Sequence, residues 1–228
     1  MTDKPEAAKY VKMEFDFGWK TGIGYPLGEL ALRHNRGDVI DIGCATCQLW
    51  VYLQQHGWKG KYTGVDVNRY EGYAYPPGVD LLIGDVLTMD LPEADTAIVY
   101  DVLEHVSDPV GVLRKALSAA PHAIVDVPKR NEEMWKLGIV EFHQLGLGSR
   151  EHMHCGFTKE ELTNIVDAAG GRIENFREHT KIDASIGCRL WKSRFARKAH
   201  EFLARHCESR EFYQLMWCEV VRKDSPPR

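Results

Sequence analysis

Three aspartates and three histidines carry most of the chemistry legible in this chain. Asp41 closes the apolar run Val39-Ile-Asp-Ile, which passes through the small-residue turn Gly43-Cys-Ala-Thr-Cys47 into an amphipathic stretch. Such a junction presents backbone N–H groups and the positive end of a helix dipole to a ligand. Asp66 ends Tyr62-Thr-Gly-Val-Asp66, about 20 residues past the loop, where a nucleoside-binding fold takes hold of ribose hydroxyls. Asp85 ends the run Val79-Asp-Leu-Leu-Ile-Gly-Asp85. Strand-end acids beside one tight loop suit a nucleoside better than a phosphate. His143, His152 and His154 fall together later in the chain. Histidine titrates near neutral pH and can take a proton from a bound hydroxyl. Each of the three also reads as an ordinary surface histidine.

These residues need elements to position them. The pattern predicts a helix over 25–34 with Pro26 at its start, a strand at 39–42 and a helix over 47–56. Strands follow at 61–67, 79–83 and 96–100, the last an almost unbroken apolar run, as a buried parallel strand requires. A helix is expected over 109–118 and a strand over 123–127, stopped by Pro128. Thr158-Lys-Glu-Glu161 is a capping box opening a helix to about 169, and Gly170-Gly171 ends it. Strands are expected at 172–177 and 211–222. Alternating strands and helices imply an α/β, Rossmann-like fold. Its sheet is expected to have seven strands, mostly parallel, with helices on both faces and an antiparallel edge strand. The whole chain, 1–228, reads as one domain. It has an N-terminal arm over 1–24, containing Phe15, Phe17 and Trp19, and insertions at about 129–157 and 181–210. The first insertion carries a short helix near 132–136. A connection that long is uncommon in a compact domain unless it is functional. The three histidines lie on it.

Composition narrows the partners. The 228 residues carry a net charge of −4, 44% hydrophobic and 27% charged residues, so nucleic acid is not the expected ligand. No apolar run approaches the roughly 18 residues that span a bilayer. The polar start Met1-Thr-Asp-Lys-Pro-Glu lacks a signal peptide's apolar core, and six cysteines are expected to stay reduced in a cytoplasm.

The ordered motifs resemble the class I S-adenosylmethionine-dependent methyltransferases over about 37–176. The family's acidic-x-Gly-x-Gly-x-Gly motif reads here Asp41-Ile-Gly43-Cys-Ala45-Thr-Cys47, with Ala45 and Cys47 in place of two glycines. The segment Asp95-Thr-Ala-Ile-Val-Tyr-Asp101-Val-Leu-Glu104-His105-Val106 resembles the fourth strand and Leu-Glu-His-Val signature of the branch with quinone-biosynthesis and sugar or natural-product enzymes. His154-Cys-Gly-Phe-Thr158-Lys-Glu-Glu161-Leu resembles its late helix. The resemblance implies S-adenosylmethionine as cofactor. It places Asp41, Gly43, Ala45, Asp66, Val67, Asp85, Val86 and Asp101 around that cofactor: Asp66 on the ribose, Asp85 and the Val86 N–H on the adenine. It implies methyl transfer to a small molecule or sugar, oxygen being favoured as acceptor atom. His154, then His152 and His143, are the candidate bases; Glu104 and His105 read as a helix-start acid and a packing histidine. The segment Ser118-Ala-Ala-Pro-His-Ala-Ile-Val lacks the Pro-Gly-Gly turn common before strand five, a departure from the quinone enzymes.

Other readings compete. Cys44-x-x-Cys47 with His152-Met-His154-Cys155 offers zinc-type ligands, but zinc on the first pair would block the nucleoside loop, so no metal is expected. No thioredoxin pattern surrounds the dithiol. One surviving glycine makes a nicotinamide-dependent dehydrogenase unfavourable. The two lost glycines instead raise a non-catalytic cofactor-binding subunit that supports a partner. The basic insertion (Lys181, Arg189, Lys192, Arg194, Arg197, Lys198, Arg205 and Arg210 against Asp183, Glu201 and Glu208) reads as a solvated face or as a contact for an anionic substrate. Trp191 and Phe195 within it suit a lid or a homodimer contact.

Overall fold

The computed structural model describes residues 25–130, 154, 156–182 and 212–226. The expected arm over 1–24, the short helix near 132–136, His143, His152 and most of the basic insertion, with Trp191 and Phe195, lie outside the described residues.

Helix α1 (Tyr25–His34) leads into β1 (Val39–Ile42), α2 (Gln48–Gln55), β2 (Tyr62–Asp66), β3 (Asp80–Ile83) and β4 (Thr96–Tyr100). A 3-10 turn (Leu103–His105), α3 (Pro109–Ala119), β5 (His122–Pro128), α4 (Lys159–Ala168), β6 (Gly171–Ile182) and β7 (Phe212–Arg222) complete it. The seven strands form one sheet in the order β3-β2-β1-β4-β5-β7-β6. The pairs among β1 to β5 are parallel, and β7 runs antiparallel between β5 and β6. Every residue of β1, β2 and β5 is buried, which is why these strands read as apolar runs rather than alternations.

Two apolar layers sandwich the sheet. Ile40, Ile42, Val99, Leu113, Leu117 and Leu162 belong to one, and Val39, Leu49, Leu53, Tyr62, Ile98 and Ile124 to the other. Helix α3 begins where Asp108 accepts the Gly111 N–H, with Pro109 in the first turn. The capping box at Thr158 and Glu161 forms as the sequence predicts. Strand β6 extends to Ile182, past the expected 177, because it pairs with β7 along its length. Lys181 and Ile182, assigned to the insertion from sequence, are therefore strand. No helix among the described residues is long and apolar enough to cross a membrane.

A polar knot holds the amino edge of the sheet. Glu219 on β7 meets His34 Nδ1 at 2.7 Å, His122 Nε2 at 3.2 Å and Asn175 Nδ2 at 3.1 Å. His122 is fully buried, and its Nδ1 lies 3.3 Å from Thr96 Oγ1, which accepts the Arg36 N–H. One carboxylate thus ties α1, β5 and β6 to β7. Burial works to raise its pKa, but the Asn175 hydrogen bond and the His34 and His122 rings bring it below the usual glutamate value. The stability it adds is present above the unfolded glutamate pKa and is lost as pH falls through the folded value. Glu219→Ala leaves buried donors unpaired and should cost about 2 to 3 kcal/mol. Thermal unfolding at neutral pH should then fall by roughly 5–10 °C, with the difference between variant and parent shrinking in acid.

Candidate functional site

The carboxyl ends of β1, β2, β3 and β4 bring the predicted residues to one edge. Asp41 lies on β1, with Gly43 just past its end. Asp66 ends β2 opposite Ile83 of β3, Asp85 follows two residues on, and Asp101 follows β4. Parallel α/β sheets bind ligands at this edge.

The loop after β1 keeps a glycine-type shape with few glycines. Gly43, Ala45 and Cys47 all have positive φ, at 77°, 45° and 58°. Ala45 and Cys47 thus hold the left-handed backbone at a cost of about 1 kcal/mol each. Cys47, which stands in place of a motif glycine, is the left-handed N-cap of α2 and offers no side-chain cap. At Gly43 a Cβ would lie 2.4 Å from Val102, so no larger residue fits there. Asp101, also at positive φ (50°), is a third strained residue at this edge.

The loop's N–H groups do not form an anion cradle. Gly43 and Cys44 donate to the Val65 carbonyl, Cys47 donates to the Cys44 carbonyl, and Ala45 donates to Asp66 Oδ2 at 2.8 Å. These donors serve the loop's own structure, contrary to the expectation that they face a ligand. These four N–H groups are therefore not available to a pyrophosphate.

Asp66 is 7% exposed and accepts the Asn68 N–H at its other oxygen, 2.9 Å away. The Ala45, Asn68 and Val67 N–H groups take three of the carboxylate's roughly four lone-pair sites, so one is left for a ribose hydroxyl. Burial raises the Asp66 pKa, and the backbone hydrogen bonds from Asn68, Ala45 and Val67 oppose that. Beside it Val67 is 65% exposed, and Ile83 and Leu87 are 40% and 39% exposed. These are the large exposed apolar side chains among the described residues; Val67 follows the acid at the end of β2, Ile83 is its register partner on β3, and Leu87 lies four residues further on. An apolar flank beside a hydroxyl-binding acid fits a nucleoside's base next to its sugar. Asp85 is exposed; one oxygen closes a local turn by accepting the Leu87 N–H, and Val86 packs against the core.

Beneath the loop lies a group the sequence reading missed. Tyr62 donates its hydroxyl hydrogen bond to Asp41, and both are buried. Burial is the main force pushing the Asp41 pKa up to about 7, with the Tyr62 bond opposing and Asp66 adding to it. The Cys44 and Cys47 sulfurs lie 3.6 Å apart. Gly64 of β2 makes room for them: a Cβ there would stand 2.8 Å from one sulfur and 3.0 Å from the other. A glycine inside an apolar strand is the signal for such close approach. Gly64→Ala should therefore cost about 1–3 kcal/mol by overpacking, measured by denaturant melts, and Cys44→Ala in the same chain should restore part of the loss. Among the described residues no three metal-ligating side chains come together.

On the acceptor side, His154 is docked onto the turn after β4. Its N–H donates to the Glu104 carbonyl at 3.0 Å, and its ring Nε2 lies 3.1 Å from the Val106 carbonyl. A carbonyl only accepts, so Nε2 carries the hydrogen, and Nδ1 of the neutral ring keeps the lone pair. Phe157 packs beside the ring at 5.4 Å. The chain returns to the sheet here: Phe157 bridges to Lys129, and Gly156, at φ 79°, leaves no space for a Cβ against the Pro128 carbonyl 2.9 Å away. Glu104 is buried, in keeping with a structural role.

Comparison with known proteins identifies the family and the fold. Residues 26–174 match the family model described as a methyltransferase domain. No curated protein sequence matches significantly. Among solved structures, the magnesium protoporphyrin IX methyltransferase of Synechocystis, with bound S-adenosylhomocysteine, is 19% identical, with a TM-score of 0.55 over 93% of this chain and 87% of that one. A Haloferax volcanii chain from the complex between a methyltransferase activator and a methyltransferase is 17% identical, with a TM-score of 0.64 over 99% of both chains. A plantazolicin methyltransferase in complex with a substrate analogue and S-adenosylhomocysteine is 15% identical, with a TM-score of 0.56 over 96% and 92%. At these identities the structural likeness concerns the fold.

Proposed function

From the premise that this chain belongs to the methyltransferase-domain family and uses S-adenosylmethionine, we propose that it methylates a small-molecule or sugar acceptor at oxygen. The observation that carries the choice of oxygen is His154. Its tautomer is fixed by the Val106 carbonyl, so Nδ1 is the basic atom. When bound, the cofactor supplies a methyl group on a positively charged sulfur with a neutral leaving group. What remains for the protein is to align the acceptor and remove its proton.

The residues divide that work. Asp66 accepts a ribose hydroxyl and, through the Ala45 N–H, holds the loop in place. Val67, Ile83 and Leu87 flank the base. Asp85 accepts from the adenine amino group with its remaining lone pairs, and Val86 supplies its N–H. Gly43 supplies the left-handed turn that opens the loop and leaves room for Val102. His154 Nδ1 takes the proton of the acceptor hydroxyl. His143 and His152 remain alternative bases on the same connection, and the basic stretch beyond 182 suits an anionic acceptor.

Incubation with cofactor carrying a labelled methyl group and a panel of phenols, sugars, amines and carbon acids tests this reading. Transfer to hydroxyl acceptors, rising with pH near neutrality, is expected. Transfer to amines alone would replace oxygen by nitrogen as the acceptor atom. Cofactor binding without transfer to any class would return the reading to a non-catalytic subunit.

A further inference from the structure

Asp41 is the buried acid that the division of labour above leaves without a task. It sits at the centre of the sheet, between Gly64 of β2 and Ile98 of β4, and directly precedes the loop. It is only 5% exposed. The Tyr62 hydroxyl from β2 donates to it, and the titratable groups near enough to act on it electrostatically are Asp66 of β2, Cys44 of the loop and Tyr100 of β4. All are neutral or acidic. No cation among the described residues offsets a charge on Asp41, so ionising it in the free protein costs desolvation that only the Tyr62 hydrogen bond opposes.

We propose that the buried Asp41–Tyr62 pair is a charge-sensing element. Its carboxyl is protonated in the free protein and releases its proton to solvent when the sulfonium cofactor binds, which favours the charged methyl donor over its uncharged thioether product. The proposal rests on the methyltransferase reading. A cation entering above the loop supplies the partner that the fold withholds, and Coulomb attraction then stabilises the carboxylate. Methyl transfer removes that charge. Asp41 regains its proton, and the thioether loses the contact that distinguished it from the donor. Burial supports the assignment, since it pushes the Asp41 pKa up to about 7, where the two forms exchange in the neutral range.

Calorimetric titration of the full chain at several pH values, in two buffers of different ionisation enthalpy, tests this directly. With S-adenosylmethionine, about one proton should be released per ligand near pH 6 and almost none near pH 9. The donor's affinity should rise about tenfold between pH 6 and 8 and then level off. S-adenosylhomocysteine keeps the ribose but lacks the sulfonium, so it should release clearly fewer protons. A proton coming from Asp66 would instead be released equally with both ligands. Asp41→Asn should abolish the difference. Tyr62→Phe removes a hydrogen bond that favours the carboxylate and should move the profile to higher pH, which keeps the test available if Asp41→Asn does not fold. Tight binding of both ligands with equal, pH-independent proton counts would overturn this inference and leave the methyltransferase reading intact. Binding of neither ligand at any pH would overturn both.

Discussion

Asp66→Ala should bind S-adenosylhomocysteine about a hundredfold more weakly than the parent protein. The carboxylate is expected to accept a ribose hydroxyl, and a hydrogen bond to a charged group contributes about 1.5–3 kcal/mol, part of which water can replace at an edge this close to solvent. A second effect acts in the same direction. Asp66 Oδ2 holds the Ala45 N–H at 2.8 Å, and Ala45 sits in the left-handed region at φ 45°. Without the carboxylate, this strained residue loses the bond that fixes it, and the loop's bound shape is less well prepared. Asp66→Asn separates the two contributions. Its side-chain oxygen can still take the Ala45 N–H, so the strained residue stays held, while the amide NH2 can accept neither the Asn68 N–H nor a ribose hydroxyl, and affinity should fall by about tenfold. Equilibrium titration of the three proteins checks the order parent, Asn, Ala. Equal affinities would remove Asp66 from the cofactor site.

His154→Ala should lower kcat for a hydroxyl acceptor by about a hundredfold or more, within the usual range for a positioned general base, while cofactor affinity stays close to that of the parent. The ring is fixed from two directions, by the backbone bond to Glu104 and by Nε2 on Val106, so its rotamer does not depend on the acceptor. His154→Gln is the informative companion. A glutamine can reproduce a hydrogen bond to Val106 but cannot take the acceptor's proton, so it should keep the fold and lose kcat. A purely structural His154 would give the opposite pattern: a lower melting temperature in the alanine variant, and an unchanged kcat in the glutamine one.

The main frame of the sheet was readable because burial leaves a mark on sequence. Val39–Ile42 and Thr96–Tyr100 are apolar on both faces, and the structure buries the first fully and the second nearly so. The Thr158 capping box marked the start of α4 because the two residues that form it are local. What escaped was set by partners distant in sequence. Glu178-His-Thr-Lys lacks a strand-like apolar pattern, yet it is strand because β7 pairs with it. The same holds within the site. Nothing in Tyr62 or Gly64 alone announces that one holds Asp41 and the other makes room for two sulfurs; both roles appear only once β2 lies beside β1. The acids at the strand ends were legible as ligand candidates. The internal use of the loop's N–H groups was not, because it depends on where the Val65 carbonyl and the Asp66 carboxylate sit in space.

The central claim is that a loop built from Ala45 and Cys47, held in a glycine-like shape, still seats the cofactor. Calorimetric titration of the folded parent protein with S-adenosylhomocysteine, with NAD as the control ligand, tests it most directly. The account predicts saturable micromolar binding of S-adenosylhomocysteine and none of NAD. A folded protein that binds neither would mean that the two added side chains have closed the site, and a protein that prefers NAD would contradict the account at its root.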